Sequence, residues 1–225
     1  MMNLDGQTTK VEQTPMGEVV AFRRPELKAV DGGQQAKGTS PNQGYAATGR
    51  TREHLTPTEV DRLLTAAKRT ARNGHRNYCA VLLAYRHGLR VGELVDLRWS
   101  DVDFEAGTIL IRRMKGSKSG NHPMMGDEIR ALRKLQRESS GPYILANSKG
   151  APLATSAISS MVKRLGGGVF DFPIHVHMLR HSCGYYLANK GVDTRTIQDY
   201  LGHRSIENTA RYTALAAGKF RTLWD

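Results

Sequence analysis

The chain has few of the residues that would staple it covalently and none of the runs that would carry it through a bilayer. Two cysteines occur in 225 residues, Cys79 and Cys183, each inside apolar, helix-like text with neither CxxC nor Cys/His spacing nearby. That pattern excludes a disulfide framework and offers no zinc knuckle, so both read as buried free thiols. No apolar run approaches the roughly 18 residues of a membrane span. The opening MMNLDGQTTKVEQTP lacks the basic start and apolar stretch of a signal peptide, so a cytoplasmic protein with no membrane partner is expected. Neither HExxH nor GxxxxGK[ST] occurs, which removes the zincin and P-loop arrangements and leaves neither a metal nor a cofactor to expect. No internal repeat is present.

The most telling shortage is acidic charge. Lys and Arg number 33 against 21 Asp and Glu, a net charge of +12. Residues 1–49 hold five basic and five acidic side chains, so the whole excess, 28 against 16, falls in residues 50–225. A folded region of that balance repels itself and attracts polyanions, which makes nucleic acid the leading partner. An anionic membrane surface would call for a basic amphipathic helix, and none is evident.

Residues 1–49, centred on DGGQQAKGTSPNQG, show neither a helical nor a strand period. They read as a flexible, disordered lead because they cannot bury enough apolar surface to offset the entropy of ordering. Order begins at HLTPTEVDRLL, where Thr56 as N-cap, Pro57 at the first helical position and Glu59 form a capping box ahead of Val60, Leu63, Leu64 and Ala67. A second helix is expected over about 76–87, ended by Gly88, and a short one in GLRVGELVDL with Leu94 and Leu97 inward. GTILIRRM and HPMM, separated by KGSKSGN, predict a β-hairpin. Helices then follow over about 127–138, over 155–165 with Thr155 as N-cap, over 177–189 closed by Gly191, and over 194–201 closed by Gly202; a last one begins near Ile206. The expected fold is a mainly α domain with a small antiparallel β-sheet, an α+β arrangement spanning residues 50–225.

Chemistry concentrates in HVHMLRHSCGYYLANKG. On a helix His177, Arg180 and His181 lie near one face, yet the text lacks the glutamate and spacing of a zinc helix. A tyrosine late in a chain, such as Tyr212 in YLGHRSIENTARYTALAAGK, is ordinarily a packing residue. Its neighbours change that reading. His177 to His181 resembles the HxLRH box of the tyrosine recombinases, the phage-integrase family. LGHRSIENTARY resembles that family's LGH followed nine residues on by its tyrosine, and GLRVGEL resembles its first arginine box. The three boxes stand in the family's order and cover about residues 52–225. HMLRHSCG, IQDYLGH, the RRMKG hairpin and the FRTLWD end look most similar to the short recombinases that invert fimbrial promoters.

Cleaving a phosphodiester requires charge stabilisation at phosphorus, an attacking oxygen and a protonated leaving oxygen. With no metal expected, protein cations must supply the field. Arg90 and Arg180 suit the non-bridging oxygens because a guanidinium stays charged and forks onto two of them, and Glu93 can aim Arg90. A phenol titrates near 10, so Tyr212 needs cations and a base; His177 fits as that base, and the resemblance implies the same. His203 matches the family's phosphate-donating histidine, with a cation at a helix C-terminus as the alternative for it taken alone. His181 is assigned a supporting role. A hairpin lysine could protonate the leaving oxygen. The family's spacing of a KG pair to a proline favours Lys115, while Lys118 is expected to contact phosphate with Arg112 and Arg113; a one-residue bulge would exchange the two lysines.

The resemblance implies a site-specific DNA recombinase or integrase that cuts and rejoins double-stranded DNA through a 3′-phosphotyrosine, with inversion, integration and excision all open. Two other readings remain: a nicking and closing enzyme like the type IB topoisomerases, and a DNA-binding regulator of the same fold. Family members usually carry an N-terminal domain that clamps the far side of the duplex, and here only the polar lead stands in that place. Assembly as a homo-oligomer on DNA, dimer to tetramer, or an accessory DNA-bending protein would make up for it. Leu215, Phe220, Leu223 and Trp224 at helical spacing are expected to form a tail that docks in a groove.

Overall fold

The structure is a computed structural model in which residues 53–114 and 117–214 are described. The lead over 1–49, Lys115 and the tail beyond Ala214 therefore lie outside the described residues.

Helix α1 (Pro57–Lys68) starts where its capping box places it: Glu59 Oε2 accepts from the Thr56 backbone N–H at 2.8 Å, and Thr56 Oγ1 accepts from the Glu59 N–H at 3.4 Å. Such a cap is worth about 1 kcal/mol. Val60, Leu63 and Ala67 form its buried stripe, with Leu64 at the margin. Helix α2 (Gly74–Arg86) begins two residues before its expected start and is buried continuously from Asn77 to Ala84. Burial on all sides makes it the central helix, and it packs against its neighbours on every side.

After the short α3 (Val91–Val95) the chain makes one turn of 3-10 helix, Trp99–Asp101, and enters the sheet. Strands β1 (Val102–Asp103), β2 (Thr108–Ile111) and β3 (Gly120–Pro123) run antiparallel in the order β1-β2-β3. Two residues are too few for a period to show, which is why β1 was not legible in the sequence. Ile109 pairs with His122 and Ile111 with Gly120; Ile109 and Ile111 point into the core. Strand β3 ends at Pro123, so Met124 and Met125 of the expected HPMM strand lie past it.

Helices α4 (Gly126–Glu138), α5 (Thr155–Gly167), α6 (Val176–Asn189), α7 (Thr194–Leu201) and α8 (Glu207–Ala214) complete the described chain. One expected cap is corrected: Ala154 occupies the cap position of α5 and Thr155 is its first helical residue, with no side-chain cap. On α7 the cap is Asp193, whose carboxylate accepts from the N–H groups of Arg195 and Thr196 at 2.9 Å each. Gly202 ends α7 at φ +65°, a left-handed conformation that glycine adopts without steric penalty.

The buried apolar residues fall into two clusters. The larger joins α1 to α6 and the sheet, and includes Met178 and Leu179. The smaller consists of Cys183, Tyr185, Ala188, Ile197, Leu201 and Tyr212, contributed by α6, α7 and α8. Helix α6 spans both, which places Arg180 at the seam between them. No helix among the described residues is long and apolar enough to cross a membrane.

Candidate active site

Three guanidinium groups converge around one carboxylate. Glu93, one turn into α3, has a side chain only 1% exposed. Its Oε1 accepts from Arg90 Nη1 at 2.7 Å, and its Oε2 accepts from Arg113 Nη1 at 2.7 Å and from the Arg90 backbone N–H at 2.9 Å. Burial alone would raise the carboxyl pKa, but these hydrogen bonds and the Arg113 charge reverse that and hold it below the usual range. Arg90 keeps 36% of its side chain exposed, so it is aimed by Glu93 and still open to an incoming group.

Arg180 is 1% exposed. Its Nη1 donates to the Gly88 carbonyl at 2.5 Å and its Nη2 to the Leu201 carbonyl at 2.8 Å, which ties the end of α2 to the end of α7. Burial, then Arg90 and Arg113, lowers its pKa to about 10, still fully charged at neutral pH. With Arg90, Arg113 and Arg180 set against Glu93, the cluster carries two positive charges in excess. A buried excess of that kind favours an anion, and forked guanidiniums favour a tetrahedral one.

Tyr212 comes from α8 and is 1% exposed. Its ring lies edge-on to Tyr185 at 5.0 Å and parallel to His203 at 6.1 Å. The ring also rests on Gly184 of α6, where an added Cβ would stand 2.6 Å from Tyr212 Cε2. A glycine in mid-helix costs stability relative to alanine, and this close approach is the reason for it. The Tyr212 hydroxyl is 2.9 Å from His181 Nδ1. Burial pushes its pKa up to about 12, although Arg180 and Arg211 pull the other way.

His203 follows Gly202, with its Nδ1 at 2.8 Å from Thr209 Oγ1. Thr209 is fully buried, and among the described residues its hydroxyl has this one partner. A buried hydroxyl hydrogen needs an acceptor, so Thr209 donates to Nδ1 and the His203 ring carries its proton on Nε2. Burial and then the nearby arginines hold His203 down to about 3, so it is a neutral donor. His177 is exposed, and the protein around its ring, then Arg180, lowers its pKa. Its ring meets His181 edge-on at 4.5 Å.

The structure thus gathers Arg90, Glu93, His177, Arg180, His181, His203 and Tyr212 from four segments of chain. One expectation shifts. Arg113, expected on DNA, has a side chain 1% exposed. It donates to Glu93 and to the carbonyls of His87 at 3.0 Å and Tyr200 at 2.5 Å, which makes it an interior brace. His177 was expected as the base; with the Tyr212 hydroxyl buried as here, the histidine that touches it is His181. Lys118 and Arg112 are exposed, with Arg112 ion-paired to Asp101. Lys115 is outside the described residues. Thr209 and Gly184 were missed in the sequence; a glycine interrupting an otherwise apolar helical face was the available signal. Among the described residues no group of three or more His, Cys, Asp or Glu side chains is arranged to hold a metal ion.

The profile of the phage integrase family matches residues 53–219. The type 1 fimbriae regulatory protein FimB of Escherichia coli (strain K12) is 43% identical over 186 residues, covering 80% of this chain and 92% of FimB. Among solved structures, that of the XerA recombinase superposes with a TM-score of 0.66 at 30% identity, over 76% of this chain and 64% of that one. The XerH site-specific recombinase bound to difH substrate, in a pre-cleavage complex, superposes with a TM-score of 0.63 at 26% identity, over 72% and 50%. This chain accordingly matches nearly all of FimB but about half to two thirds of the Xer structures. With a family profile that spans the domain, a fimbrial relative matched almost end to end, and recombinase structures that share its fold, the chain belongs to the phage integrase family of tyrosine-type site-specific DNA recombinases.

Proposed function

We propose that this recombinase cuts and rejoins duplex DNA through a 3′-phosphotyrosine at Tyr212. The observation that carries the reading is the Tyr212 hydroxyl held beside a buried excess of guanidinium charge, with His203 presenting an N–H and no acidic group left uncompensated. Arg90 and Arg180 would bind the non-bridging oxygens of the scissile phosphate, while His203 would add a hydrogen bond and His177 would serve as the base. Glu93 and Arg113 orient the arginines. Lys115, or Lys118 in its place, would protonate the leaving 5′ oxygen. Attack exchanges one phosphate ester for another, so the bond is conserved for rejoining and no cofactor is consumed.

The similarity to fimbrial recombinases favours inversion of a DNA segment as the outcome. Exchanging four strands with one tyrosine per subunit calls for four copies on paired sites, assembled with or without a bending protein. A second reading, a silent DNA-binding regulator, draws on the burial of Tyr212 and on the engagement of both Arg180 Nη groups with carbonyls.

The test uses nicked duplexes tiled across inverted repeats flanking the gene. The expected result is a denaturation-resistant protein–DNA adduct and strand exchange, both lost in Tyr212→Phe while DNA affinity stays within about twofold, since phosphate contacts dominate affinity. Adduct without exchange would indicate a nicking and closing enzyme, and binding without adduct a regulator. An adduct in Tyr212→Phe would move the nucleophile elsewhere. Tyr200 is a poor substitute, because its hydroxyl donates to the Arg86 carbonyl at 2.9 Å.

A further inference from the structure

We infer that His122 is a positioning residue for the departure of the 5′ oxygen: wedged between His87 and Tyr200, it sets where the lysine-bearing hairpin stands against the arginine cluster. The inference rests on the strand-cleaving reading above and concerns its acid step. Strands β2 and β3 present the loop over 112–119, which contains Lys115 and Lys118. Both sides of the hairpin are tied, at the base of that loop, to the same two places. On the β2 side Arg113 donates to the carbonyls of His87 and Gly88, just past the end of α2, and to that of Tyr200 on α7. On the β3 side the His122 ring stands with its Nδ1 3.3 Å from His87 Nδ1 and stacks on the Tyr200 ring at 4.0 Å.

The wedge is itself held from behind. His87 Nε2 lies 2.7 Å from Glu128 Oε1, so that nitrogen donates, and the ring cannot turn without losing a buried hydrogen bond. Glu128, in the first turn of α4, is 1% exposed; its other oxygen accepts from the Met125 N–H at 3.4 Å and faces Arg86 Nη1 at 3.5 Å. Tyr200 donates its hydroxyl to the Arg86 carbonyl at 2.9 Å, which closes the circuit of contacts.

Packing alone does not call for this arrangement. His122 is the one buried residue of β3, and its strand partner Ile109 is apolar and fully buried. An apolar side chain at 122 would fill the space without a polar group to satisfy. Burial, then His87 and Arg113, holds His122 to about 3, so its ring is neutral and contributes direction, not charge. Direction matters because a proton donor must come within about 3 Å of the departing oxygen, and a misplacement of about 1 Å can cost about 100-fold. In the balanced step the Tyr212 oxygen bonds to phosphorus and its proton goes to His177. The P–O5′ bond breaks and a proton from the hairpin lysine passes to O5′. His122 exchanges none.

The decisive measurement is single-turnover adduct formation on nicked duplexes carrying either oxygen or sulfur as the bridging 5′ atom, alongside DNA affinity and circular dichroism. A thiol titrates at about 8.5, so sulfur leaves as a thiolate and needs no proton. His122→Leu should form adduct about 10-fold to about 100-fold more slowly than wild type on oxygen, and at the wild-type rate on sulfur, at unchanged DNA affinity. The alanine variant of Lys115 or Lys118 that removes the acid should show the same pattern more strongly. His122→Asn, whose amide can face His87 Nδ1 in either proton state, should recover part of the rate on oxygen. If His122→Leu is equally slow on both duplexes, the residue acts through phosphate binding or the fold, and the inference falls. It falls equally if the rate on oxygen is unimpaired. Should the leucine variant fail to fold, Glu128→Gln, which removes the charge that holds His87, decides by the same contrast. A wild type that forms no adduct on either duplex would instead sink the strand-cleaving reading, which separates that failure from this one.

Discussion

Arg113 reaches four acceptors on three segments, the Glu93 carboxylate and the carbonyls of His87, Gly88 and Tyr200. The Tyr212 hydroxyl, by contrast, has one partner among the described residues, on a helix of eight residues seated over a small apolar cluster. The charge centre is therefore over-determined and the proposed nucleophile is held by few ties. The contrast follows from what each must do. Groups that stabilise a developing charge are effective only if already oriented when the reaction begins. A nucleophile needs one reachable position and gains from staying protonated until a phosphate is present.

Removing the carboxylate at the centre should give the largest effect. Glu93→Ala leaves Arg113 buried without its counter-charge, and breaking a buried pair in this way costs about 3–5 kcal/mol. Urea unfolding would measure it; a loss under about 1 kcal/mol would mean that the backbone carbonyls alone satisfy Arg113. Because the folded Glu93 pKa lies below its unfolded value of about 4.3, the contribution is present above that pH and is lost as pH falls through the lowered folded value.

A smaller effect, confined to the tyrosine side, is expected from Gly184→Ala. The new methyl would meet the Tyr212 ring at 2.6 Å, and overpacking of this kind costs about 1–3 kcal/mol. Adduct formation should slow at unchanged DNA affinity, because the arginines proposed to bind phosphate are untouched. Equal losses in affinity and cleavage would show that the two regions are not separable.

The most gradual effect should appear with pH. His122, His181 and His203 are each held to about 3, with burial the first cause. An unfolded histidine binds its proton near 6.5, so acid favours the unfolded chain. Stability is complete above about 6.5 and falls as pH drops from there towards 3. The urea midpoint should be lower at pH 5.5 than at pH 7.5, and an unchanged midpoint would mean these rings take up protons without unfolding.

Much of this was readable along the chain. The Thr56–Glu59 capping box, the stop at Gly202 and the hairpin between Ile111 and Gly120 depend on residues a few positions apart, and all three appear in the structure. The motif boxes named Arg90, His177, Arg180, His203 and Tyr212 before any geometry was known. Thr155 misled because a threonine next to a helix start can sit inside it as readily as before it. Arg113 misled because a basic strand end beside a Gly/Ser loop looks solvent-facing, and only the carbonyls of His87 and Tyr200 draw it inward.

By itself the sequence determined the helices, the hairpin, the charge balance and the set of candidate site residues, since each rests on short-range geometry, on composition or on short motifs. The tertiary structure alone decided which members of that set touch. His177 and His181 lie one helical turn apart and carry the same chemistry, and nothing in their spacing ranks them. The packing of α8 across α6, on a glycine that lets a ring come close, puts the Tyr212 oxygen against His181. Contact across 31 residues is set by which turns of two helices face each other, and that depends on the packing of the whole domain.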